Sequence, residues 1–118
     1  MRLCQQLLQQ TPKDVAIYQL LAKVFTEQKN WEKAKLCYQK AIYQQPKNEK
    51  LYLELGDIWF ESQDWESATN CYRQIIELEP NAWQVYHKLG DALREHGHLK
   101  ESIKAYRQAT ELAKKLVS

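Results

Sequence analysis

Apolar positions along this chain recur in steps of three and four residues and break at regular intervals. Between residues 49 and 82, Leu51, Tyr52, Leu55, Ile58 and Trp59 trace one face of a helix. Gln63-Asp64 interrupts the run, after which Trp65, Ala68, Tyr72, Ile75 and Ile76 trace a second face. The same pattern returns at a shift of 34 residues, which sets Tyr52 on Tyr86, Leu55-Gly56-Asp57 on Leu89-Gly90-Asp91, Trp31 on Trp65, Cys37-Tyr38 on Cys71-Tyr72 and Pro46 on Pro80. Residues 15–48 and 49–82 share ten identities in this register, and 49–82 and 83–116 share ten more. Self-similarity at a fixed period marks an array of stacked units rather than one globular core.

Each unit reads as a pair of helices of about 14 residues joined by short turns. Asn30, Asp64 and His98 stand just before the second helix of each pair; Asn and Asp accept well from first-turn amides, and His less well. Asp14, Asn48 and Asn81 are the expected caps of the first helices. Pro46 and Pro80 end the second helices, because the residue before a proline is pushed out of the α region. Three full pairs result, at 15–48, 49–82 and 83–116. Residues 1–12 match only the second helix of a truncated unit, which implies a piece of a longer array. One pair cannot bury its own apolar stripes, so stacking is obligatory.

Composition agrees with helix and narrows the functional classes. Three Gly and three Pro in 118 residues leave little room for the turns of an all-β domain. Mean hydropathy is −0.69, no apolar run approaches a bilayer span, and the start of the chain lacks the apolar stretch of a signal peptide, so a cytoplasmic chain with no membrane insertion is expected. Three cysteines without a CxxC offer neither a disulfide framework nor a zinc knuckle. The formal charge is only +2, yet it is patterned: residues 1–48 carry +5, 49–82 carry −6 and 83–118 carry +3. An acidic central unit would repel phosphates, which argues against nucleic acid.

The repeated residues resemble the tetratricopeptide repeat, whose unit of 34 residues follows a W-x2-L-G-x2-Y pattern, then small residues and a closing proline. Tyr52, Leu55, Gly56, Trp59, Ala68, Tyr72 and Pro80 hold those positions in the middle unit. Tyr18, Leu21, Ala22, Phe25, Ala34, Tyr38, Ala41 and Pro46 do so in the first. Tyr86, Leu89, Gly90, Leu93, Gly97, Tyr106 and Ala109 do so in the last, with Ser102 replacing the second-helix Ala. The resemblance implies an all-α, right-handed superhelical solenoid of antiparallel helix pairs, used as a non-catalytic scaffold. Read from the residues alone, Gly56, Gly90 and Ala22 are small where helices must approach closely. Ten of the thirteen aromatics fall on repeated packing positions.

No phosphate-cradling glycine loop, GxSxG or HExxH is present, so neither catalysis nor a cofactor is expected. His96 and His98 bracket Gly97 in a turn and read as solvated side chains rather than metal ligands. Cys37 and Cys71 share a packing position.

The resemblance further implies that first helices line a concave groove. First-helix positions off the packing stripe are then candidates for a protein or peptide partner: Gln19 and Lys23; Lys50, Leu53, Glu54, Asp57, Phe60 and Glu61; Gln84, His87, Lys88, Asp91 and Arg94. Phe60 stands out as a large ring outside the repeated aromatic positions, the kind of anchor that holds a peptide or helix. Trp83 and Tyr43 are the other surplus aromatics and lie at repeat edges, where they are expected to cap the turns between units. Glu54, Asp57 and Glu61 share one helix face and favour cationic or polar partners. Relatives that clamp acidic chaperone tails use Lys, Asn and Arg where this chain has Gln19, Lys23, Glu54, Gln84 and Lys88, and Glu54 would repel a carboxylate. The asparagine ladder of glycosyltransferase-linked arrays is absent as well, its position reading Leu20, Glu54 and Lys88. Two further readings stay open: an assembly or targeting arm of a larger, glycosyltransferase-type enzyme, and a homo-oligomer formed through uncapped ends at Leu3, Leu7 and Leu8 and at Leu112 and Leu116.

Overall fold

A computed structural model of the chain describes residues 14–117. Among these residues the secondary structure is entirely helical: α1 Val15–Glu27, α2 Trp31–Gln44, α3 Glu49–Glu61, α4 Trp65–Leu78, α5 Trp83–Glu95 and α6 Leu99–Val117. Each helix packs chiefly on its neighbours in sequence, within pairs (α1·α2, α3·α4, α5·α6) and between them (α2·α3, α4·α5). The result is an all-α, right-handed stack of antiparallel pairs, 48 × 28 × 19 Å overall.

The turns explain how one short sequence can both end a helix and start the next. At 28–30, 62–64 and 96–98 the middle residue is left-handed: Lys29 at φ 57°, Gln63 at 67° and Gly97 at 85°. The residue after it bonds back across the turn, Asn30 N–H to Phe25 O, Asp64 N–H to Trp59 O and His98 N–H to Leu93 O, closing orphan carbonyls in a Schellman arrangement. Asn30 and Asp64 then turn their side chains forward to the amides of Lys33 and Ser67. Glycine supplies the left-handed residue only in the third pair. Lys29 and Gln63 adopt it against the preference of residues that carry a Cβ.

Asp14 and Asn48 cap α1 and α3 through Ile17 and Lys50 N–H. Asn81 does not cap α5: the cap position is Ala82, which has no side-chain acceptor. A shift of 34 residues carries Asp14 to Asn48 and then to Ala82, so Asn81 stands one residue too early. Before the prolines, Gln45 and Glu79 leave the α region, at φ −134° and −140°. Lys114 occupies the third proline position, and α6 continues through it to Val117.

Two apolar clusters form the core. One runs from Tyr18, Leu21 and Phe25 through Cys37 and Tyr38 to Leu51, Leu55 and Ile58. The other gathers Tyr72, Ile75, Leu89, Leu93 and Ala105, and half-buried Trp59 packs against both. Gly56 and Gly90 are required by close approach: a Cβ there would lie 2.7 Å from the ring of Tyr72 or Tyr106. Ser102 spends its hydroxyl on the Gly90 carbonyl at 2.8 Å, which makes its burial tolerable.

Two expectations about exposed apolar groups are corrected. Tyr43 caps no turn and is 84% exposed. Leu112 is buried against the array, and Leu116 and Val117 carry the exposed apolar area at the end of α6. Leu3, Leu7, Leu8 and the rest of the half-unit at 1–12 lie outside the described residues.

Candidate functional site

First helices α1, α3 and α5 bring their off-stripe residues together at two junctions. Between the second and third pairs, Asp57, Phe60 and Glu61 of α3, Tyr72 of α4, and Lys88 and Asp91 of α5 line a cavity of about 210 Å³. Its centre is the Asp57 carboxylate. Tyr72 Oη–H donates to Asp57 Oδ1 at 2.6 Å, and Lys88 Nζ lies 3.1 and 3.3 Å from its two oxygens. Phe60 forms a wall, edge-on to Trp65 with ring centroids 5.0 Å apart, and also packs against the second core cluster.

Between the first and second pairs, Lys23, Thr26 and Glu27 of α1, Tyr38 of α2, and Glu54, Asp57, Ile58 and Glu61 of α3 line a cavity of about 460 Å³. Tyr38, Tyr72 and Tyr106 occupy one repeat position; the phenols of Tyr38 and Tyr72 titrate well above the ordinary tyrosine range, and that of Tyr106 is raised. Burial is the largest cause, followed by hydrogen bonding to Glu54, Asp57 and Asp91 respectively. Tyr106 donates to Asp91, which also faces Arg94 Nη2 at 3.9 Å and His87 Nδ1 at 3.5 Å. His87 packs its ring on Tyr106 with centroids 5.3 Å apart.

The structure therefore gathers Lys23, Glu54, Asp57, Phe60, Glu61, Lys88 and Asp91 around two adjoining cavities, with His87 and Arg94 reaching Asp91 from outside them. Gln19, Lys50, Leu53 and Gln84 line neither cavity. Leu53 is half-buried against the second cluster, and Lys50 and Gln84 are exposed near the starts of their helices. Tyr38 and Tyr72 line the cavities as well. The repeat pattern assigns them to packing because their rings are core, and only their hydroxyls reach the site.

Other candidate chemistry is quiet. His96 and His98 stack edge-to-face 4.6 Å apart, and no group of three metal-ligating side chains occurs among the described residues. Burial pushes the Cys71 thiol up to about 12, far from the range of a nucleophilic cysteine. No helix among the described residues is long and apolar enough to cross a membrane.

A repetitive stack of helix pairs with cavities recurring between first helices defines a helical-repeat protein. Family profiles agree: "Tetratricopeptide repeat" matches residues 1–56 and "TT21 fifth ARM repeats domain" matches 49–117, more than half of the chain. The chain belongs to the tetratricopeptide-type family of helical repeats. Solved structures of similar shape include the "Crystal structure of MamA", at TM-score 0.86 and 19% identity, covering 97% of this chain and 67% of that one. A second, "Crystal structure of MamA protein", gives TM-score 0.86 at 20% identity over 95% of this chain and 61% of that one. A third, "MamA MSR-1 C2", gives 0.83 at 17% over 97% and 66%. The chain thus spans about two thirds of these neighbours' length, and at such identities the likeness establishes the fold. No curated protein matches the chain. Repeats of this type support a protein-interaction scaffold in general.

Proposed function

We propose that this chain is a non-catalytic interaction scaffold that binds a peptide or helical segment of a partner protein along the face built by α1, α3 and α5. The observation that carries this reading is the repetition of a cavity, one step of the repeat apart, along that face. Two recesses one repeat apart, each with a carboxylate and one with an aromatic wall, suit a chain laid across them. The test is affinity capture by the whole chain beside a Phe60→Ala, Arg94→Glu double variant, followed by amide exchange of the captured complex. Loss of a partner from the variant, with protection of α3 and α5 in the wild-type complex, is the expected result. Equal capture by both, with protection on α2, α4 or α6, would overturn it.

A specific observation favours self-association as a second reading. Lys35, Thr69 and Ile103 occupy one repeat position; the first two are 7% and 4% exposed, whereas Ile103 is 52% exposed. Lys35 is covered by the following pair, its Nζ 3.8 Å from the ring centroid of Trp59. Ile103, with Leu99 and Val117 on the same face of α6, presents the surface on which a further pair would stack. A dimer that forms through this surface would show a concentration-dependent mass by light scattering, abolished by Ile103→Lys. A monomer at every concentration would remove the reading.

A further inference from the structure

The two cavities on the α1–α3–α5 face are one cavity repeated. A shift of 34 residues carries Lys23, Thr26, Glu27, Tyr38, Glu54 and Asp57 onto Asp57, Phe60, Glu61, Tyr72, Lys88 and Asp91, which is the whole lining of the second. At the second junction the array fills its own recess. Lys88 extends from the following pair and sets its ammonium against Asp57, which the Tyr72 hydroxyl already holds.

At the first junction the two charges trade places, with Lys23 where Asp57 stands and Glu54 where Lys88 stands. The exchange does not close an ion pair. Lys23 is exposed, and Glu54, whose carboxylate the Tyr38 hydroxyl approaches, keeps its Oε2 shut off from solvent with no hydrogen-bond donor, although a buried carboxylate oxygen is costly to leave unmatched. Thr26 replaces the ring of Phe60, and the recess is about 460 Å³ against about 210 Å³. Glu27 and Glu61 also line it but are exposed, while Asp57, a further lining residue, is already matched by Lys88.

We infer that the recess between α1 and α3 receives a lysine or arginine side chain of the bound segment, with Glu54 as the accepting carboxylate, in the way that Lys88 fills the neighbouring recess from within. A cationic donor supplies what the orphaned oxygen lacks, and a charge-assisted bond is among the stronger polar contacts a groove can offer. The inference rests on the α1–α3–α5 face being the binding face.

The test uses the full chain, isotope-labelled, titrated with three blocked alanine pentapeptides that carry lysine, arginine or norleucine at the centre. The expected result is saturable movement of the Lys23, Thr26, Glu54 and Ile58 amides with the lysine or arginine peptide. The norleucine peptide should bind about tenfold more weakly or worse. Glu54→Gln should lose a similar factor. Lys23→Asp/Glu54→Lys, which installs the arrangement of the second junction in the first, should abolish the effect without lowering the melt. Equal response to norleucine, or wild-type binding by Glu54→Gln, would overturn the cation site while leaving the face itself intact. Movement confined to α2, α4 and α6 would overturn both, and silence with every peptide would overturn the cation site alone.

Discussion

The first helix pair and the two that follow solve the same crossing in different ways. In the later pairs a Gly-Asp dipeptide, Gly56-Asp57 or Gly90-Asp91, meets a tyrosine from the partner helix. The missing Cβ admits the ring, and the next side chain accepts its hydroxyl. In the first pair the dipeptide is Ala22-Lys23, which gives less room and no acceptor, and Tyr38 turns instead to Glu54 of the following pair. One aromatic position thus fastens a pair internally in two units and fastens neighbouring pairs together in the other. The difference shows that a repeat position fixes where a ring goes, while its polar partner is set by residues one or more turns away.

The largest effect expected from probing this contrast comes from Gly56→Leu, whose side chain has no space beside Tyr72. It should lower stability by about 3 kcal/mol or more, read from thermal or urea melts. An unchanged melt would show that the α3–α4 crossing imposes no such limit. Gly56→Ala should also destabilise, though less than leucine, because its single Cβ would still lie 2.7 Å from the buried Tyr72 ring and the helix preference of alanine, ~1 kcal/mol over glycine, offsets only part of that.

Next in size is an alkaline effect. The folded phenols of Tyr38 and Tyr72 titrate above the unfolded value near 10, so the native state keeps protons that the unfolded chain gives up. Stability from this source is complete below about pH 10 and falls as pH rises beyond it, by about 1.4 kcal/mol per unit for each phenol. Tyr72→Phe should flatten the slope only in part, because Tyr18, Tyr38 and Tyr106 keep raised phenols of their own, measured as urea midpoints from pH 9 to 11. An unaltered slope would mean that Tyr72 contributes nothing to it.

Phe60→Ala should cost about 1–2 kcal/mol, less than the ~3–5 of a buried phenylalanine, because the ring is only half-buried against Trp65. It should also make the second recess resemble the first, where threonine stands. A loss as large as that of a core ring would assign Phe60 to the core instead.

The smallest effects concern the entrances of the pairs. Ala82→Asp should stabilise α5 by ~1 kcal/mol by supplying the cap that Asp14 and Asn48 give the earlier pairs, whereas Asn81→Ala should change little. The reverse ranking of these two variants would restore Asn81 as the cap.

Much of the fold was legible because a 34-residue period fixes both helix phase and stacking. Tyr52 on Tyr86 and Pro46 on Pro80 suffice to place every turn within a residue or so. Asn81 misled because asparagine is a good cap wherever it stands, and only the phase shows that Ala82 has the position. The candidate site was legible as a face, not as a set of contacts. Asp57 and Lys88 lie 31 residues apart, and their pairing depends on how one unit rotates against the next. The unequal recesses depend on Thr26 against Phe60 and on an orphaned oxygen, which no spacing reveals. The exposure of Ile103 follows from its place in the stack, since the same position is covered in the earlier units.

Because each helix packs chiefly on its neighbours in sequence, the molecule is mechanically a chain of short springs rather than a closed shell. Tension applied between its ends would be borne in series by the α2·α3 and α4·α5 seams. These would open singly and re-form quickly, since no distant segment must be found again. The seam clasped by Lys88 on Asp57 and by Arg73 on Glu101 has ionic fasteners on two sides of the stack. The seam beside Glu54 relies on Tyr38 and on Lys35 against Trp59. Raising the salt concentration should therefore soften the former seam more than the latter, giving the array a compliance that depends on its ionic surroundings.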